Sequence, residues 1–135
     1  MAGFQAHLDL SRTLHNDMNQ AKAHGEWPIV VDAGYYAVFH GMEALNALEC
    51  RDSYTFADAA DILENVLGRR GLGESFIDDY RYLFYFRRGA IYGTHVPTGA
   101  QLDEFVKRAD RSVVAIDAVI SRQPVSAELL NRKSA

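Results

Sequence analysis

Apolar positions in this chain recur at intervals of three and four, with polar positions between them. Phe4, Leu8, Leu14, Met18 and Ala21 form the first stripe, widened by Leu10. They predict an amphipathic helix over 4–24 that stops near Gly25. From Ile29 to Cys50 the apolar face is broad, with Tyr35, Tyr36, Val38, Phe39, Met42, Leu45 and Leu48, as for the central helix of a bundle. Gly34 and Gly41 lie two turns apart on one face of it. They predict close approach of a neighbouring helix, at a propensity cost of roughly 1 kcal/mol each. Thr55 and Asp58 signal the start of a short third helix carrying Phe56, Ala60, Leu63 and Leu67, broken by Gly68, Gly71 and Gly73. Ser75 is the expected cap of a fourth helix over 76–92, with Gly93 as its stop. Thr98 and Gln101 form a capping box for a fifth helix, striped from Leu102 through Phe105, Val106, Ala109, Val113 and Ile116 to Ile120. Pro124 ends it. No stretch alternates as a strand does. The expectation is one all-α domain over 1–135, an antiparallel four- to five-helix bundle with a frayed tail from about 123.

Composition narrows the classes of function. The chain has 135 residues, 48% of them apolar, enough for a core without staples. A formal net charge of −4 argues against a protein that coats nucleic acid non-specifically, while leaving room for a local basic patch. Cys50 stands alone, so no internal disulfide forms and no cysteine-rich metal site exists. No apolar run approaches the roughly 18 residues that span a bilayer. The first dozen residues lack a basic leader with an apolar core, so no signal peptide is expected. A cytoplasmic protein follows from this reading.

The chemistry concentrates between Arg81 and His95, in RYLFYFRRGAIYGTH. On a helix, Arg81, Tyr85, Arg88 and Tyr92 fall close to one face, while Leu83, Phe84, Phe86 and Ile91 point elsewhere. Arg88 can clamp a phosphate through its fork of donors. His95, seven residues later, can move a proton to or from a ribose hydroxyl or a leaving oxygen. The competing reading leaves Arg87 and Arg88 solvated or paired with aspartates and His95 as a loop residue. His40 has two readings as well: a partly buried, hydrogen-bonded histidine, or a group facing the Arg/Tyr side of the fourth helix. The five histidines form no His-x-x-x-His or Glu-x-x-His pair. His40 and Glu43 make one His-x-x-Glu, which is not a metal site by itself. No metal and no cofactor is expected, and no Walker, dinucleotide-binding or nucleophile-elbow motif occurs.

Two segments carry a family resemblance. Ala33-Gly-Tyr-Tyr-Ala-Val-Phe-His-Gly-Met-Glu-Ala-Leu45 resembles the second helix of HEPN domains (higher eukaryotes and prokaryotes nucleotide-binding), with paired aromatics, then Phe-His, then a run of small residues and leucines. Arg88-Gly-Ala-Ile-Tyr-Gly93 resembles the family's Arg followed four residues later by Tyr and Gly at a helix end. The resemblance covers most of residues 4 to 122. It implies a HEPN-like bundle and a homodimer. Many HEPN domains are metal-independent ribonucleases, often toxins or defence effectors, with four to six residues between an Arg and a His. Arg88 and His95 enclose six residues and fit that spacing, with Gly89 where the family is often polar and Ile91 where it is often acidic. Other members are non-catalytic nucleotide-binding bundles or partners of small nucleotidyltransferases. The resemblance thus implies RNA or a nucleotide as ligand, Arg88 and His95 as catalytic residues, and Tyr36, His40, Arg87 and Tyr92 as candidate ligand contacts. A structural, dimerising bundle without a ligand is the third reading.

Overall fold

The computed structural model describes residues 3–48, 72–93 and 95–122. Among them it forms four helices and no strand: α1 (Phe4–Ala23), α2 (Trp27–Leu48), α3 (Glu74–Ile91) and α4 (Gly99–Arg122). The all-α bundle is as expected. The helix expected between Thr55 and Leu67, and the tail from about 123, lie outside the described residues. No helix among the described residues is long and apolar enough to cross a membrane.

Local signals set most of the boundaries. At the end of α1, Gly25 takes a positive φ of 70°. The Glu26 N–H then reaches the Ala21 carbonyl at 3.0 Å and the Gly25 N–H the Lys22 carbonyl at 3.2 Å, a Schellman ending. The next three-residue step turns the chain back, so α2 runs alongside α1. α2 begins two residues before Ile29, with Pro28 in its first turn, where a missing N–H costs nothing. Ser75 does not cap α3. The cap is Gly73, extended at φ −92°, whose carbonyl accepts from Phe76 N–H at 3.1 Å, and Ser75 lies inside the first turn. Buried Leu72 just ahead holds the chain against the core.

α2 is the centre of the bundle and packs on the other three helices. Its two glycines allow this. A Cβ at Gly34 would sit 2.6 Å from the Phe105 ring and 2.7 Å from the Met18 sulfur, and one at Gly41 would sit 2.8 Å from Ile116. Ser11 takes the small-residue place on α1 at the same crossing. It is buried, and its hydroxyl donates to the Ala37 carbonyl at 2.6 Å, so the polar group is satisfied. Leu10, which seemed to widen the α1 stripe, points outward instead.

The α2–α3 interface is aromatic. Tyr35 and Tyr80 are both buried, and their hydroxyls share a hydrogen bond of 2.6 Å. Burial pushes both phenols above their ordinary value. The α3–α4 interface is partly ionic. Asp79 is buried within the apolar face of α3, yet Arg111 grips it with two bonds of 2.8 and 2.7 Å, and Arg108 adds a third contact at 3.5 Å. Arg108 also lies 4.1 Å over the Tyr82 ring.

Candidate functional site

Arg87 and Arg88 are adjacent on α3, so their side chains leave the helix about 100° apart. That rotation separates their roles. Arg87 turns inward to α2 and is only 6% exposed. Its Nε donates to Asp32 at 2.8 Å, and its terminal nitrogen donates to the Tyr92 hydroxyl at 3.3 Å. The guanidinium carbon lies 4.8 Å from the Tyr36 ring centre, 5.3 Å from that of Tyr92 and 5.6 Å from that of Tyr35. Asp32 and Tyr36 stand four residues apart on α2, so they meet Arg87 from one face. Burial disfavours the Arg87 charge, but the bonds to Asp32 and Tyr92 and the nearby acidic groups more than offset it and raise its pKa.

Arg88 points outward. Its guanidinium lies 5.7 Å from the Phe84 ring one turn back, and no carboxylate among the described residues pairs with it. It shares the outer face of α3 with Tyr85 and Tyr92, which are 65% and 72% exposed. α3 closes just beyond. A Cβ at Gly93 would collide with the Gly89 carbonyl oxygen, so the chain turns here only with glycine. His95 is exposed in the connection to α4, and its Nε2 lies 2.9 Å from Gln101 Oε1. Gln101 belongs to the expected capping box. Thr98 N–H donates to the same Oε1 at 2.9 Å, and Gln101 N–H donates to Thr98 Oγ1 at 3.2 Å. Among the described residues no hydrogen bond joins Arg88 to His95.

The named residues therefore divide into three groups. Arg87, Tyr36 and Tyr92 come together around Asp32. Arg88 and His95 stand outside that cluster, toward solvent. His40 turns to α1, where its Nδ1 lies 3.0 Å from His7 Nδ1 and the two rings stack with centroids 5.3 Å apart. Of its two readings, the partly buried, hydrogen-bonded histidine describes this position. A shallow groove of about 340 Å³ flanks Asp32 and Tyr36, with Leu14, Pro28 and Ile29 as its apolar wall and Asp17 on its rim. Among the described residues no three metal-ligating side chains converge.

The burial of His40 beside His7 makes stability depend on pH. Burial first, and the neighbouring His7 second, lower the pKa of His40 from its ordinary 6.5 to about 4. Between those values the unfolded chain binds the proton and the folded chain does not, so stability rises with pH through that window. Stability is expected to be full above about pH 6.5 and to fall toward pH 4. Urea midpoints measured across that range check this. His40→Gln should flatten the slope, and an unchanged slope would remove His40 as its source.

Two partners were missed in the sequence. Asp32 is a lone acid in the apolar first half of α2, and its spacing to Tyr36 was the available signal. Asp79 sits among Phe76, Ile77, Tyr80 and Leu83, where an acid on a buried face asks for a cation from elsewhere. No family model matches the chain, and no curated protein matches it.

Proposed function

We propose that this chain is a HEPN-like, metal-independent endoribonuclease that works as a homodimer, with Arg88 and His95 as its catalytic residues. The observation that carries the reading is the contrast between the two arginines. Arg87 is neutralised by Asp32 and enclosed by tyrosines, whereas Arg88 is exposed with no carboxylate partner among the described residues, and the exposed His95 follows seven positions later in the chain. An arginine without a carboxylate is available to a phosphate. Exposed Tyr92 beside it offers a ring on which a base can stack.

Two copies supply what one lacks. A neutral His95 takes the proton of the 2'-hydroxyl as that oxygen attacks phosphorus. The P–O5' bond breaks, and a protonated His95 of the second copy gives its proton to the leaving oxygen. The products are a 2',3'-cyclic phosphate and a free 5'-hydroxyl. The two Arg88 side chains hold the phosphate oxygens as charge builds on them. Exposed Tyr85 and Tyr92 on the same face support its use for pairing.

Incubation with end-labelled single-stranded RNA, with and without EDTA, tests this. Cleavage that survives EDTA and leaves 2',3'-cyclic phosphate ends is the expected result. RNA that binds but stays intact favours the non-catalytic nucleotide-binding reading. RNA neither bound nor cut overturns both.

A further inference from the structure

We infer that Gln101 is a positioning residue that holds His95 in a single tautomer, with the proton on Nε2 and the lone pair on Nδ1. The inference rests on the reading of His95 given above, but its main test does not require RNA cleavage.

The argument is one of donors and acceptors. A backbone N–H can only donate, and the Thr98 N–H lies 2.9 Å from the side-chain atom Oε1 of Gln101. The oxygen end of the amide must therefore face it, with the NH2 end turned away. The same oxygen lies 2.9 Å from His95 Nε2. An amide oxygen only accepts, so Nε2 must carry a hydrogen. In the neutral imidazole Nδ1 is then the bare nitrogen. No described residue hydrogen-bonds Nδ1, and His95 is exposed. The nitrogen that faces a substrate is thus the one with a lone pair.

The capping box fixes the glutamine as well. Gln101 N–H donates back to Thr98 Oγ1 at 3.2 Å, and the first turn of α4 closes through Leu102 N–H to the Thr98 carbonyl at 3.0 Å. One side chain therefore caps α4 and orients the histidine. Glutamate fills this capping position as readily as glutamine. A carboxylate at 2.9 Å would, however, favour the imidazolium and withdraw the lone pair. Neutral glutamine keeps the cap and leaves the ring free to act as a base.

Long-range proton–nitrogen NMR on the full chain reads the tautomer directly, because protonated and bare ring nitrogens resonate far apart. A His95→Gln spectrum assigns the signal among the five histidines. The expected result at a pH where the ring is neutral is Nε2–H alone in the parent chain. In Gln101→Ala the minor Nδ1–H form of a solvated imidazole should appear, shifting both nitrogen signals toward each other. Gln101→Glu, which keeps the cap, should restore Nε2 protonation and move the titration of His95 to higher pH. An Nδ1–H form in the parent, or identical tautomer averages in the parent and Gln101→Ala, overturns the inference. If RNA proves not to be a substrate while the tautomer behaves as stated, the functional proposal fails and this one stands. If RNA is cleaved, Gln101→Glu should also move the acid limb of the rate profile to higher pH.

Discussion

His95→Ala should abolish RNA cleavage while leaving the fold intact. Removing a positioned proton-transfer group lowers a rate by about 10²–10⁴-fold. His95 is exposed and among the described residues its side chain bonds Gln101 alone, so unfolding should shift by no more than about 0.5 kcal/mol. Arg88→Ala should behave alike, losing about ten- to a hundredfold in turnover from missing charge-assisted bonds to phosphate. Arg87→Ala is the control that makes the pair informative. It removes the guanidinium between Tyr36 and Tyr92 and leaves Asp32 without its partner, so it should lose stability and only secondarily activity. Initial rates on labelled RNA beside urea midpoints separate the two cases. Equal loss of stability in Arg88→Ala and Arg87→Ala would sink the assignment.

The second large effect is expected at Asp79. Arg111→Met should destabilise the protein by about 2–3 kcal/mol, although Arg111 itself is half exposed. The cost arises on the other side of the pair. The Asp79 side chain is 5% exposed, and without Arg111 it keeps, among the described residues, only the contact of 3.5 Å from Arg108. A buried carboxylate with a weak partner pays its desolvation without return. Adding Asp79→Leu to Arg111→Met should therefore recover most of the loss. Urea unfolding with an unchanged slope and a shifted midpoint would show it. If the double variant is less stable than the single, Asp79 contributes more than its pairing.

Features that depend on neighbours in sequence were legible before the structure. The Thr98/Gln101 cap and the stop at Gly25 each involve residues within five positions of one another, and both formed as expected. Gly34 and Gly41 were legible as points of close approach because helix geometry alone puts them on one face. The roles of Arg87 and Arg88 were not. The two share a chemistry and a neighbourhood, and what distinguishes them is Asp32, 55 residues away. The turn of His40 toward His7 depends on a contact across 33 residues, and the burial of Asp79 on cations 29 and 32 residues later. The Ser75 cap failed for a different reason. Gly73 supplied the extended backbone two residues earlier, and helix α3 started there.

The adjacent arginines also set the rotational phase of α3. Only one residue of the pair can sit against Asp32 and Tyr36 of α2 at a time. A slip of one position toward the N-terminus would bring Arg88 to Asp32, and the interior would still find a cation. The outer face would then carry Gly89 in its place and have no cation there. A slip the other way would put Phe86 against Asp32 and strand the carboxylate. The tyrosine-lined niche thus works as an index mark, and Asp32 determines from the neighbouring helix which arginine is left on the outer face.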